Sequence, residues 1–157
     1  MIEFELTESF IMQPEEFIDN IFDESSWLDY EGYGFLPGIK NVDISNYSKD
    51  RIGTKFHLTN TDGSKHVESV IEYIPGELLV LEFSEFKKPL KNLASHFIET
   101  FHFERVGDRT NLVRTFQIFP SNVIGTVLLS VISIFLKKAI RKHLDKIVVK
   151  EKEIASE

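Results

Sequence analysis

The feature that most constrains this chain is its change of hydrophobic period at Ser121. Beyond that residue Val123, Ile124, Val127, Leu128, Val131, Ile132, Phe135, Ala139, Ile140, Leu144, Ile147 and Val148 recur at helical spacing and form a broad apolar stripe. The spacing predicts one helix of about 28 residues, roughly 42 Å long, with Ser121 or Asn122 placed to cap it. Before Ser121 the dominant period is two. A run of short strands does not leave such a stripe in water, so the helix is expected to lie across a sheet.

The strands are punctuated by turn chemistry. Residues 3–11 carry Phe4, Leu6 and Phe10 between acidic and polar neighbours, the pattern of a strand with one wet face. Pro14 followed by Glu15 and Glu16 opens a helix, since proline tolerates the first turn and carboxylates oppose the dipole there. Phe17, Ile18, Ile21 and Phe22 continue it, and Trp27 and Leu28 fall on a second short helix. Gly32, Gly34, Pro37 and Gly38 mark a loop. Six strands are then expected at 39–45, 53–60, 67–74, 78–84, 96–106 and 110–119, with turns at Asp62-Gly63, Pro75-Gly76 and Gly107-Asp108. Links this short force antiparallel neighbours. The fold class is therefore α+β, with about seven strands: one strand, two short helices, a six-stranded meander and one long helix, in a single domain spanning 1–157.

Composition narrows the function. The 157 residues include no Cys, 14 Phe and a formal charge of −7. The absence of Cys removes disulfides, thiolate metal sites and a Cys nucleophile together. The acidic balance argues against a general nucleic-acid binder. No targeting segment is visible, and the 14-residue apolar run at 123–136 is shorter than the roughly 20 residues a spanning helix needs. The expected location is the cytoplasm, with no transmembrane segment. No dinucleotide fingerprint or serine nucleophile elbow is present, and no cofactor is expected.

Pairing the last two strands around Gly107-Asp108 puts Phe97, Glu99, Phe101 and Phe103 on one face with Leu112, Arg114, Phe116 and Ile118. Glu99 and Arg114 interrupt an otherwise apolar face, within diagonal reach of each other. They fit two descriptions, the polar anchor of a ligand pocket or a structural ion pair at a cavity end. His96 and His102 share a face with Glu104, but on the outer side, where a metal site has no shelter, so no metal is expected. His57 and Glu68 could meet across the Asp62-Gly63 hairpin, subject to a register that one residue of slip reverses.

Several segments resemble the START/Bet v 1-like (SRPBCC) superfamily, in particular its polyketide cyclase/dehydrase and lipid-transport branch. They are Gln13-Pro14-Glu15-Glu16-Phe17, Leu36-Pro37-Gly38-Ile39-Lys40, Ile52-Gly53-Thr54-Lys55-Phe56, Val70-Ile71-Glu72-Tyr73-Ile74-Pro75 and Val106-Gly107-Asp108-Arg109-Thr110. The basic, amphipathic residues 137–147 are similar to the last helix of that group. The resemblance covers residues 4–149 and implies a helix-grip fold, a curved sheet around the C-terminal helix with an apolar cavity between them. On that basis Phe56, Leu81 and Phe83 are candidates for the cavity side, with Val127, Leu128, Val131 and Phe135 facing them from the helix, and Trp27 and Tyr33 near the mouth.

The implied function is binding or transport of a small hydrophobic molecule, a lipid, isoprenoid or polyketide-like compound. A polyketide cyclase, aromatase or dehydratase using the same pocket, with Glu99 moving a proton, is the alternative. A cavity-free interaction module is a third. Residues 1–39 hold ten carboxylates and no Lys or Arg, whereas residues 137–150 hold six Lys/Arg and only Asp145 as an acid. The basic helix could touch an anionic membrane weakly, or simply present its wet face to solvent.

Overall fold

The computed structural model describes residues 1–156. Its elements in chain order are β1 (Ile2–Phe10), α1 (Pro14–Ile21), α2 (Glu24–Trp27), β2 (Ile39–Ser45), β3 (Lys55–Asn60), β4 (Lys65–Ile74), β5 (Leu78–Ser84), β6 (Ala94–Val106), β7 (Arg109–Pro120) and α3 (Val123–Ser156). A short 3-10 turn at Leu90–Asn92 links β5 to β6. All seven strands form one antiparallel sheet in the order β1-β7-β6-β5-β4-β3-β2. The α+β architecture expected from the sequence is present: strand, two short helices, six-stranded meander, long helix.

The register fixes the inward face. Glu99 stands opposite Phe116 and Phe101 opposite Arg114. Leu81 is opposite Glu99, and Phe83 is opposite both Phe97 and Glu68. Phe56 is opposite Glu68, and Leu58 opposite His66. Period-two alternation then sends all of these to the concave side. The β6–β7 turn holds Gly107 at φ +61°, a conformation glycine adopts without steric cost.

α3 is 34 residues long, six more than the apolar stripe implied. Asn122 caps it, its Oδ1 accepting from the Gly125 amide at 2.7 Å. Gly125 is also where the first turn meets the β5–β6 link: a Cβ there would lie 2.2 Å from the Leu93 carbonyl oxygen. The rest of the helix crosses the concave side of the sheet, packing chiefly on β1 and β7. Leu129, Ala139, Ile140 and Leu144 are its buried side chains.

The rotation of α3 differs from the expected one. At 100° per residue, Gly125, Leu129, Ile132, Leu136 and Ile140 share one side of the helix and face the protein. Val123, Ile124, Val127, Leu128 and Val131 lie on the other side and are exposed. Both sides are apolar over the first turns, so periodicity alone gives no phase. The close approach of Gly125 to Leu93 supplies it.

Candidate ligand cavity between the sheet and helix α3

The concave side of the sheet is not filled. A cavity of about 690 Å³ lies between it and the C-terminal part of α3. Phe83, Phe97, Phe101 and Phe116 form its sheet wall with Leu81. Leu136, Ile140 and Ile147 form the helix wall, and Phe17, Trp27 and Tyr30 close it on the side of α1 and α2. The aromatic wall is held by ring contacts. Phe83 meets Phe116 edge-on at 5.2 Å, and Phe97 lies 5.6 Å from Phe116. The Trp27 indole donates to the Ile21 carbonyl at 2.7 Å, which fixes its ring.

Two polar side-chain pairs interrupt this wall. Arg114 donates through Nε to Glu99, whose side chain is almost fully buried. Its guanidinium also lies over the Phe101 ring, 4.8 Å from the centroid. Among the described residues the Arg114 Nη groups have no protein acceptor. The second pair is local to β4: His66 Nε2 lies 3.0 Å from Glu68 Oε1. These residues alternate on one face, so the spacing His-x-Glu brings both inward. Burial pushes the Glu68 carboxyl above its usual range, opposed in part by the hydrogen bond with His66.

His143 approaches from α3. Burial and the positive charge of Arg114 pull its pKa down to about 4, so the ring is neutral at pH 7. Its Nδ1 is buried without a hydrogen-bond partner. The ring stands edge-on to Tyr30 at 5.8 Å, and burial raises the Tyr30 phenol above its ordinary value. The cavity thus combines apolar walls with the Arg114 guanidinium, whose Nη donors have no protein acceptor among the described residues.

Of the positions singled out from sequence, Trp27, Leu81, Phe83, Phe97, Glu99, Phe101, Arg114 and Phe116 are on the cavity wall. Phe56 is fully buried behind it, against Phe22 and Trp27. Phe103 packs edge-on against Phe17 in the solid part of the core. Tyr33 is exposed, 6.4 Å from Phe135, and Phe135 packs at 4.7 Å on Phe35 rather than facing the cavity. Val127, Leu128 and Val131 point away from it, for the rotational reason given above. His57 pairs with Val67 on the outer face and reaches Ser45, so the partner of Glu68 is His66. Sequence reasoning missed Tyr30, His66, His143 and Ile140 as wall residues. For His66 the signal was its shared parity with Glu68. Tyr30 sits in a loop, where no periodicity points a side chain.

Among the described residues no cluster of three or more His, Asp or Glu side chains is placed to hold a metal.

No family model matches the chain. No curated protein matches it either. Solved structures do. A protein from Nitrosospira multiformis superposes with a TM-score of 0.67 at 13% identity, covering 99% of this chain and 100% of its own. Ara h 8.0201 does so with a TM-score of 0.64 at 11% identity, covering 95% and 98%. A protein from Arthrobacter aurescens gives 0.65 at 13%, covering 96% and 86%. This chain has the Bet v 1-like helix-grip fold. At these identities the likeness is one of fold, and function has to be argued from the cavity. In helix-grip terms, β1–β7 are the grip and the part of α3 after Leu136 is the helix gripped.

Proposed function

We propose that the protein binds a small hydrophobic molecule bearing one hydrogen-bond-accepting group, in the manner of a carrier or sensor. The observation that carries this reading is the 690 Å³ cavity, aromatic and aliphatic over most of its wall, with Arg114 on that wall and its Nη groups without a protein acceptor among the described residues. Its volume suits a lipid, isoprenoid or polyketide-like ligand. Burial of apolar ligand surface would supply most of the affinity, at roughly 25 cal/mol per Å² before the cost of association. Arg114 would orient the accepting group, with its charge already balanced by Glu99.

Native mass spectrometry of the purified protein, with extraction of whatever is bound, tests this. The expected result is a reproducible apolar adduct that leaves on denaturation. A bare mass, together with no saturable uptake of alkyl or polyketide-like probes, would contradict it. Arg114→Ala should weaken a carboxylate ligand more than its methyl ester; equal loss for both would remove Arg114 as the anchor.

A cyclase, aromatase or dehydratase using the same cavity is the second reading. One observation favours it: a buried carboxyl, Glu68, with raised pKa and a histidine at 3.0 Å, a pairing suited to proton transfer. That reading predicts turnover that Glu68→Gln abolishes while binding persists.

A further inference from the structure

α3 is apolar on two sides between residues 123 and 134. The inner side carries Gly125, Leu129 and Ile132, and these face the protein. The outer side carries Val123 at 80% exposure, Ile124 at 68%, Val127 at 62%, Leu128 at 45%, Val131 at 50% and Ile134 at 56%. Six branched aliphatic side chains in one continuous stripe make a patch of the kind that marks a membrane or protein contact. By length and composition α3 is the one helix among the described residues apolar enough to cross a membrane, and only 22% of its most apolar stretch is buried. Its inner side is committed to the protein, so the helix is placed to lie along a bilayer rather than to span it.

The charges around the patch select the occupant. At the N-terminal end, the β5–β6 link carries Lys87, Lys88 and Lys91, all exposed. The same link meets the helix start, where the Asn122 amide donates to the Asn92 carbonyl and the Ser121 N–H to the Leu93 carbonyl. At the other end, Lys137 and Lys138 follow the stripe and are exposed. Among the described residues none of these five lysines is within ion-pair distance of a carboxylate. Four of the cations further along α3 are committed within the protein: Arg141 to Glu8 and Asp145, Lys142 and Lys146 to Glu31, Lys150 to Asp29. In a chain of net charge −7, five lysines without an ion-pair partner among the described residues thus bracket the apolar stripe. A second copy of the chain fits this arrangement poorly, because helices paired in either direction would bring lysines against lysines.

We propose that the outer face of residues 123–134, with Lys87, Lys88 and Lys91 at one end and Lys137 and Lys138 at the other, docks on an anionic lipid bilayer. The aliphatic side chains enter the boundary between headgroups and acyl chains, and the lysines reach back to the headgroups. This differs from contact through the basic segment 137–150, whose remaining cations are satisfied within the protein.

The absence of cysteine makes the test simple. The full-length chain carrying Val127→Cys, labelled with an environment-sensitive nitrobenzoxadiazole dye, is mixed with vesicles of phosphatidylcholine alone or with phosphatidylglycerol. A second chain carries the same dye at Lys65→Cys, at the exposed start of β4. Flotation of the unlabelled protein is measured alongside. The expected result is co-flotation with the anionic vesicles at low salt, weakened roughly tenfold or more by high salt, by neutral lipid or by replacing Lys87, Lys88 and Lys91 with Ser. Dye emission should rise several-fold at position 127 and stay unchanged at 65. Val127→Asp with Leu128→Ser should abolish flotation while leaving the melting temperature and cavity-probe binding intact. The proposal is overturned by failure of the wild type to float with anionic vesicles. It is equally overturned by undiminished flotation of that double variant, or by a concentration-dependent dimer that the double variant dissolves.

Discussion

From Leu136 onward α3 is tied to the rest of the molecule by both apolar and polar contacts. Ile140 and Leu144 are buried; Arg141 donates to Glu8 and to the Thr7 carbonyl; and the Glu151 carboxylate accepts from the Ile11 and Met12 amides at 2.7 and 2.9 Å. Residues 123–134 are held mainly through Gly125, Leu129 and the Asn122 cap, with a row of aliphatic side chains left in water. Both halves carry Val, Leu and Ile, but charged side chains occur only after Leu136. Their environments differ because the sheet grips only one of them, and the other is free to meet something outside the protein. Composition makes a helix; the neighbours it is given decide what each half does.

Single substitutions sharpen that contrast. Leu144→Ala removes a fully buried side chain from the gripped half and should lower the unfolding free energy by about 2–5 kcal/mol in urea titrations. A loss below 1 kcal/mol would mean that this half is not anchored as described.

His143 gives a pH signature to the same half. Its folded-state pKa of about 4 lies below the ordinary 6.5, so the unfolded chain binds a proton that the folded one refuses. Stability should therefore fall as pH drops from 6.5 to 4, by up to roughly 3 kcal/mol. His143→Leu should flatten that window, and an unchanged profile would show that the ring is not held neutral.

Glu68 acts with the opposite sign. Its raised folded-state pKa contributes stability that is present below the ordinary 4.5 and lost as pH rises through the raised value. Glu68→Gln should remove that decline and stabilise the protein at neutral pH, as read from melting temperatures across the range. The smallest effect belongs to the free half: Leu128→Ser should shift stability by no more than about 0.5 kcal/mol. A larger loss would place Leu128 in the core and break the contrast.

The sheet was legible in the sequence because each turn carries its own chemistry and each strand its alternation. The bounds of β2 and β5 match the expected ones, and the diagonal meeting of Glu99 with Arg114 follows from pairing around Gly107. The rotation of α3 was not legible, since a segment apolar on both sides has no preferred phase until Gly125 meets Leu93. One residue of register separated His57 from His66 as the partner of Glu68. A cavity leaves no mark in sequence either. Whether facing Phe and Leu side chains interdigitate or stand apart is set by sheet curvature and helix height.

The central claim is that the space under α3 receives an apolar molecule. The most direct measurement is a fluorescence titration with a neutral apolar probe, N-phenyl-naphthylamine, on the wild type and on Ile140→Trp. Ile140 is buried on the cavity wall, so the larger ring occupies the space a ligand would need. Saturable binding of one probe per chain, lost in the filled variant while its melting temperature is retained, is the result predicted. Equal binding by both proteins, or none by the wild type, would contradict it.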